Sequence, residues 1–283
     1  AEAMKEMSGV TLKQVDTDGK KADIRLKISK DLSPEAYRLT VDADGVSVEA
    51  GGPAGAFYAL QSVRLAIQPQ DKTGIPRMYV ADRPRFGYRG LMVDVSRYFV
   101  GKEELMKIID CMSVLKLNKL HLHLTDDNGW RLEIKKYPRL TSVGAWRVNQ
   151  TDRPFPDRRN PEPGEPTPIG GYYTQEDMKE IIRYAAGRCI EIIPEIDMPG
   201  HSNAALAAYP ELACPSVDKH ICVVPGMGQG SGNIIFCAGN EETFRFLEGV
   251  IDEVAELFPS HYIHLGGDEA WKEYWKKCPR CAD

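Results

Sequence analysis

Short apolar segments alternate with amphipathic segments from residue 89 onward, and no other feature of the sequence constrains the fold as strongly. The apolar segments have the length and composition of β-strands: Gly90–Asp94, Lys119–Leu124, Cys189–Ile193 and the residues around Tyr262–Leu265. The amphipathic segments have helical spacing: Glu103–Leu117, Thr174–Arg188 and the residues between Asn240 and Pro259. Because strands that alternate with helices form right-handed parallel βα units, the sequence predicts an α/β fold built on a parallel sheet.

Acidic residues or histidine follow each of the predicted strands. Asp94 ends the first strand, Asp126 follows the second, Asp197 follows the third, and Asp268 and Glu269 follow the fourth after two glycines. Parallel strands end at one edge of the sheet, where α/β folds place their chemistry, so we expect these side chains to lie together. A carboxyl pair suits cleavage of a glycosidic bond, although a single Asp-Glu pair is more often a solvated surface charge. The prediction of an active site at this edge therefore rests on the recurrence of acidic residues or histidine after all four strands.

The residues before this alternation have a different pattern. Alternating apolar runs on both sides of Asp42–Gly45 predict a β-hairpin, and Gly55–Ile67 has the spacing of a helix that packs on a small sheet. The segment Arg83–Gly87 interrupts both patterns. We therefore predict a small α+β domain over residues 1–82 and a separate α/β domain over residues 83–283.

Charge and hydropathy exclude two classes of partner. The formal net charge is −5 with a sequence pI near 5.8, and no basic stripe is present, so we expect no nucleic-acid partner. No apolar run approaches the length of a transmembrane helix, so we expect no membrane span.

The seven cysteines are an odd number, so at least one is unpaired within the chain. Cys111 and Cys189 lie in apolar patterns and are expected to be buried thiols. Cys214 and Cys222 could form a disulfide in an oxidising compartment. The sequence Cys278-Pro-Arg-Cys281 is a lone C-x-x-C, which is weak evidence for zinc without a second pair or a nearby histidine, so we predict no metal and no cofactor.

Four sequence blocks resemble a known family. The blocks are Arg89–Arg97, His121–Arg131, Pro194–His201 and His264–Glu269. In this order they resemble the signature blocks of glycoside hydrolase family 20, the β-N-acetylhexosaminidases, over about residues 80–275. The resemblance implies a TIM barrel, preceded by a small α+β domain. It also implies retaining exo-hydrolysis of terminal β-linked N-acetylglucosamine or N-acetylgalactosamine, in which the 2-acetamido oxygen attacks the anomeric carbon to give an oxazolinium intermediate.

The resemblance assigns roles to individual residues. Glu269 would act as general acid and then base, and Asp268 would accept a hydrogen bond from the acetamido N–H. Adjacent acids cannot easily flank one bond as nucleophile and acid, whereas an acid beside an acetamide-binding group can be its neighbour. His201 and Asp126 would bind near the substrate in a network around Glu269, and Asp197 would support them.

Other residues have more than one interpretation. Arg89 would bind sugar hydroxyls by resemblance, and the less favoured alternative is a structural ion-pair partner. His121 and His123 share one strand face, and we interpret them as histidines satisfied by hydrogen bonds rather than as metal ligands.

A closed barrel has eight strands, and about four are found here. We therefore expect an incomplete barrel that associates as a homodimer or with a missing carboxy-terminal half. The predicted function is β-N-acetylhexosaminidase activity on N-acetylhexosamine-containing glycans. The alternative is a catalytically inactive fragment that acts in carbohydrate binding or assembly. The resemblance favours a periplasmic or extracellular location.

Overall fold

The computed structural model describes residues 22–67, 75–227 and 234–282. The chain divides into two compact units, each treated separately: an amino-terminal unit of Ala1–Arg89 with Asp110–Asn118, and a carboxy-terminal unit of Gly90–Ile109 with Lys119–Asp283. Residues 1–21 of the predicted α+β domain lie outside the described residues, and the boundary between residues 82 and 83 stays a prediction.

The described elements up to residue 89 are β1 (Ile24–Ile28), β2 (Tyr37–Asp42), β3 (Gly45–Ala50), α1 (Pro53–Ala66) and β4 (Met78–Asp82). The strands form one sheet in the order β1-β3-β2-β4, in which β1 runs parallel to β3 and the other neighbours are antiparallel. The predicted hairpin is confirmed, since Asp42 pairs with Gly45, whose positive φ of 110° suits glycine. The predicted helix is also confirmed, and α1 buries Tyr58, Ala59 and Val63 against the sheet.

The described elements after residue 89 are β5 (Gly90–Asp94), α2 (Lys102–Val114), β6 (Lys119–His123), β7 (Thr125–Asp126), β8 (Gly129–Trp130), α3 (Arg139–Ser142), β9 (Trp146–Arg147), β10 (Ile169–Gly170), α4 (Gln175–Ala186), β11 (Glu191–Glu195), α5 (Asn203–Ala208), α6 (Glu241–Leu257) and α7 (Glu273–Lys277). Short 3-10 helices cover Phe155–Asp157 and Pro210–Leu212. Among the described residues, no helix has both the length and the apolar character needed to cross a membrane.

A parallel sheet in the order β11-β6-β5 organises the carboxy-terminal unit. Its register pairs His123 with Asp94 on one side and with Glu195 on the other. The carboxyl ends of the three strands therefore lie side by side, as the sequence predicted for parallel βα units. The register brings the functional groups of these ends together.

The predicted fourth strand is present as a single parallel bridge rather than as a full ladder. His264 bridges to Glu195, and the His264 N–H donates to the Pro194 carbonyl at 2.9 Å. Tyr262 and Leu265 beside it remain 65% and 44% exposed, so few described residues pack on this segment. The position and direction of this segment agree with the prediction, but its extent as a strand was overestimated.

Helix starts follow their capping residues. The Thr174 hydroxyl accepts the Asp177 N–H at 3.0 Å and the Asp177 carboxylate accepts the Thr174 N–H, so the predicted capping box of α4 is confirmed. Asn240 caps α6 by accepting the Glu242 N–H at 3.2 Å. The expectation of a buried Cys111 was wrong, because this residue lies on the exposed face of α2. Cys189 is half-buried.

Candidate active site

A buried carboxylate, Asp126, lies at the carboxyl edge of the parallel sheet. Its side chain is 2% exposed. Oδ2 lies 2.8 Å from both His123 Nε2 and Arg97 Nη2, and Oδ1 accepts the Asp127 N–H at 2.7 Å. Burial raises the pKa of Asp126, but the hydrogen bond from His123 and the nearby His201 ring and Arg97 charge outweigh it and lower the pKa to about 2. Asp126 is therefore a carboxylate at neutral pH.

Glu195, at the end of β11, is a second buried carboxylate in the same network. Its Oε2 lies 2.6 Å from His121 Nε2 and 2.9 Å from His123 Nδ1, and its Oε1 lies 3.3 Å from His264 Nδ1. Burial raises the pKa of Glu195, but the hydrogen bond and the charge of His123 outweigh this effect, and the pKa falls to about 2. The two strand histidines make the hydrogen bonds that the sequence analysis expected, to Glu195 and Asp126.

His123 connects the two carboxylates. Burial lowers its pKa, but the hydrogen bonds to Asp126 and Glu195, one at each ring nitrogen, raise the pKa to about 10. An imidazolium between two carboxylates compensates both buried negative charges. Glu195 has no role in the sequence-based predictions, although its position in the Pro194–His201 block at a strand end was the available signal.

His201 lies between this buried network and the predicted acids. Its Nδ1 is 3.3 Å from Asp126 Oδ1, and its Nε2 is 3.5 Å from both Asp268 Oδ2 and Glu269 Oε2. The side chain is 8% exposed, and neither ring nitrogen makes a hydrogen bond of good geometry to the described residues. Asp126 raises the pKa of His201 to about 9 against the effect of burial. A positively charged ring therefore faces the acid pair.

The acid pair itself faces solvent on a tight turn. Asp268 and Glu269 are 68% and 67% exposed. The turn has positive φ angles at Gly266 (63°), Gly267 (100°) and Glu269 (46°). Positive φ is uncommon for a residue with a side chain, so the backbone at Glu269 holds local strain.

Asp197 forms a hydrogen bond to the backbone of this turn. Its Oδ1 accepts the Gly267 N–H at 3.1 Å, and its own N–H donates to Thr125 Oγ1 at 2.9 Å. A Cβ atom at Gly266 would lie 1.9 Å from Asp197 Oδ1, so glycine is required by space as well as by φ. Burial raises the pKa of Asp197 to about 6. These contacts place Asp197 where it can support the acid pair.

Arg97 belongs to the cluster, although the sequence analysis gave it no role. Its Nη1 is 3.0 Å from Asp94 Oδ2 and its Nη2 is 2.8 Å from Asp126 Oδ2, while the side chain stays 35% exposed. Arg97 comes three residues after the last residue of β5, at the edge where the acids gather. That position was the signal that could have identified it.

Arg89 lies elsewhere, and the structure does not bring it into the cluster. It precedes the first residue of β5, so its backbone lies about 17 Å along the strand from Asp94 at a rise of about 3.3 Å per residue. Its guanidinium pairs with Glu35 at 2.8 Å and donates to Tyr58 at 3.0 Å within the amino-terminal unit. The expected contact with sugar hydroxyls is therefore replaced by the alternative, a structural ion pair.

A buried arginine, Arg131, supports the backbone around the cluster. Its side chain is fully buried and donates five hydrogen bonds, all to backbone carbonyls, of Val95, Ser96, Asn128, Ala145 and Gly171. Burial lowers its pKa to about 10, so it remains charged at neutral pH. Because Val95 and Ser96 follow β5 and Asn128 lies two residues after Asp126, these bonds link Arg131 to the segments that carry Arg97 and Asp126.

Three triads in the cluster have the spacing of metal ligands, and they are drawn from His121, His123, Asp126, Glu195, Asp197, His201 and His264. Apart from Asp197, their imidazoles and carboxylates already pair with one another at 2.6–3.3 Å. The arrangement is a chain of alternating charges that runs from Glu195 through His123, Asp126 and His201 to the exposed acids. Such a chain can stabilise a carboxylate that forms when an acid gives up its proton.

Comparison with known proteins identifies a family that this chain resembles along its length. Residues 86–283 match the model of glycosyl hydrolase family 20, catalytic domain, and residues 1–83 match that of glycosyl hydrolase family 20, domain 2. A β-hexosaminidase of Porphyromonas gingivalis is 43% identical over 88% of this chain and 31% of its own length. One of Akkermansia muciniphila is 42% identical over 89% of this chain and 48% of its own length.

Solved structures give the same result. The β-N-acetylhexosaminidase of Bacteroides fragilis superposes with a TM-score of 0.77 at 41% identity, covering 92% of this chain and 48% of that one. The exo β-N-acetylglucosaminidase of Vibrio harveyi, in complex with N-acetylglucosamine, superposes with a TM-score of 0.82 at 32% identity, covering 99% and 43%. The predicted fold class, a TIM barrel preceded by a small α+β domain, is confirmed.

The chain spans about half the length, or less, of the relatives that it matches. The family model of the catalytic domain nevertheless covers most of its residues, including every residue of the cluster described above. The chain belongs to glycosyl hydrolase family 20.

Proposed function

We propose that this chain contributes to the hydrolysis of terminal β-linked N-acetylhexosamine from glycans, with retention of configuration and with the substrate's own acetamide as nucleophile. The observation that carries the proposal is the position of His201, 3.5 Å from each exposed acid on one side and 3.3 Å from buried Asp126 on the other. Relatives named β-hexosaminidase and N,N'-diacetylchitobiase support the reaction class.

Glu269 is the proposed general acid. When it protonates the leaving oxygen it becomes a carboxylate, and the His201 ring, positively charged at neutral pH, lies 3.5 Å from its Oε2. The charge pair is worth more after proton transfer than before it, so it favours the transfer. In the second half of the reaction the same carboxylate takes a proton from water.

Asp268 is the proposed partner of the acetamide. A carboxylate that accepts a hydrogen bond from the acetamido N–H increases the negative charge on the acetamido oxygen and stabilises the positive charge that develops in the oxazolinium ring. The adjacent position of Asp268 and Glu269 fits this division of roles, because no enzymic nucleophile has to lie across the bond from the acid.

The remaining residues position these two. Asp126 keeps His201 charged, Asp197 holds the turn, and the part-exposed Arg97 presents a planar fork that can donate to vicinal sugar hydroxyls. We propose Arg97 for this role in place of Arg89.

The proposal includes further protein around the sheet. Within the described residues, β5 pairs on one edge alone, and Leu91 and Met92 on it are 40% and 55% exposed. Tyr262 and Trp271, on either side of the acid pair, are 65% and 59% exposed. Apolar surface of this kind in a parallel sheet is normally covered. We propose that a second copy of the chain or additional barrel structure covers it and completes the sugar pocket.

A comparison of two aryl glycosides tests the reaction class. We expect release of the aryl group from a β-N-acetylglucosaminide and none above background from the matching β-glucoside, which lacks the acetamide nucleophile. Equal rates on both substrates would contradict substrate assistance. No turnover at any chain concentration would favour the alternative of a fragment that only binds.

A binding measurement separates that alternative from failure of the site assignment. A thiazoline analogue of the oxazolinium intermediate should bind the chain in calorimetry, and Asp268→Asn should weaken binding by about tenfold or more for one lost charged hydrogen bond. Arg183→Gln, an exposed change on α4, serves as the matched control and should bind like the wild type. Equal binding by Asp268→Asn would contradict the role of Asp268.

A further inference from the structure

Four cysteine sulfurs converge in the carboxy-terminal unit, away from the acid pair. They belong to Cys214, Cys237, Cys278 and Cys281, and all four sulfur atoms lie within 4.8 Å of one another. The distances are 3.8 Å between Cys214 and Cys281, 3.8 Å between Cys237 and Cys278, and 3.6 Å between Cys237 and Cys281. The C-x-x-C motif therefore has the second pair that the sequence analysis found missing.

The spacing of the sulfurs fits one tetrahedral ion. Zinc–sulfur bonds of about 2.3 Å place the sulfurs of a tetrahedral site about 3.8 Å apart. A disulfide would require one pair at about 2.05 Å, and the structure contains no bridge among these four, nor between Cys214 and Cys222. An iron–sulfur cluster contains several atoms and separates its ligands more widely than a single ion does. The three distances of 3.6–3.8 Å favour one metal ion.

The surroundings resemble those of a structural site rather than an open one. Cys214, Cys237 and Cys278 are at most 2% exposed, with Tyr274 and Trp275 packed against the cluster. The Gly239 N–H donates to Cys281 Sγ at 3.3 Å, a contact that favours a thiolate. A closed set of four protein ligands leaves no position for a reacting molecule.

We propose that these four cysteines bind one structural zinc ion. The ligands come from three separate segments: Cys214 follows the second 3-10 helix, Cys237 precedes α6, and Cys278 and Cys281 follow α7. The ion would cross-link these segments. It would thereby hold the end of α7, which follows the acid pair in the sequence, near the amino-terminal end of α6. Ligands this far apart in sequence gain from the link because the unfolded chain does not hold them together.

Metal analysis of the purified chain tests the proposal directly. Chain from cells grown without added metal should contain about one zinc per chain by mass spectrometry. Cys237→Ser and Cys281→Ser should each reduce the zinc content by about fivefold or more, and Cys111→Ser, an exposed cysteine outside the cluster, should leave it unchanged. A cobalt-substituted chain should show the absorption bands of a tetrahedral thiolate site.

Two further readouts keep the test decisive if the serine variants do not fold. A strong chelator should lower the melting temperature of the wild-type chain, and added zinc should restore it. Alkylation in denaturant with chelator and without reductant should modify all four cysteines. Absence of zinc, iron in place of zinc, or four unmodified cysteines held in two disulfides would each overturn the proposal.

Discussion

Replacement of Arg131 by methionine offers a sharp test of how the loops around the acid cluster are held. Methionine fills most of the space of the arginine stem but donates no hydrogen bond, so the change removes the five bonds to backbone carbonyls. The removal leaves buried acceptors without this partner, which destabilises the native state.

The magnitude follows from two opposing effects. Five hydrogen bonds at about 1–1.5 kcal/mol each amount to about 5–7 kcal/mol. Burial lowers the pKa of Arg131 from 12.5 to about 10, so relief of the buried charge returns about 3 kcal/mol at 1.36 kcal/mol per pKa unit. We therefore expect Arg131→Met to lower the free energy of unfolding by about 3 kcal/mol.

Urea unfolding followed by tryptophan fluorescence measures this change. All four tryptophans lie in the carboxy-terminal unit, so the signal reports on that unit alone. With an m value of about 2–3 kcal/mol/M, the midpoint should fall by about 1–1.5 M. The control Arg183→Met, at an exposed position of α4, should stay within about 0.5 kcal/mol of the wild type. A midpoint unchanged in Arg131→Met would refute the argument that these carbonyls depend on the guanidinium.

Three other predictions follow from the cluster. Gly266→Ala places a Cβ 1.9 Å from the Asp197 carboxylate, so we expect kcat on an aryl β-N-acetylglucosaminide to fall by about 100-fold or more; unchanged kcat would contradict the role of the turn. The pKa of His123 is raised to about 10, so protonated His123 stabilises the native state fully below the unfolded-state pKa near 6.5, and this stabilisation is lost as pH rises towards 10. Urea titrations should show the free energy of unfolding declining over this pH range in the wild type and declining less in His123→Gln. Parallel curves for the two proteins would contradict the contribution of His123. Arg97→Gln should raise KM or abolish turnover, while Arg89→Gln should lower the melting temperature and leave KM unchanged; a raised KM in Arg89→Gln with an unchanged KM in Arg97→Gln would restore Arg89 as the sugar ligand.

The sequence predicted the edge of the sheet at which the acids gather, because that edge follows from the direction of the strands alone. Parallel strands end together, so the residues after Asp94, His123 and Glu195 become neighbours without further information. The four long helices were predicted to within a few residues, since capping residues and spacing are local signals, whereas the short helices α3, α5 and α7 were not predicted.

What the sequence did not predict depends on contacts between distant residues. The misassignment of Arg89 is an exception, because the predicted strand Gly90–Asp94 already placed Arg89 before the strand and Arg97 after it. The cysteine cluster joins Cys214 to Cys281 across 67 residues, a distance at which no local pattern exists. The fourth strand is limited to one bridge, with Tyr262 and Leu265 exposed beside it, and no local pattern in the sequence reports how well a strand is packed.

The most direct test of the proposed function is the rate of hydrolysis of an aryl β-N-acetylglucosaminide by the wild-type chain and by Glu269→Gln, measured over a range of concentrations with the association state determined by sedimentation. We predict turnover that rises with association and that Glu269→Gln abolishes, while its urea midpoint stays that of the wild type. Turnover that survives Glu269→Gln would contradict the assignment of Glu269 as the general acid.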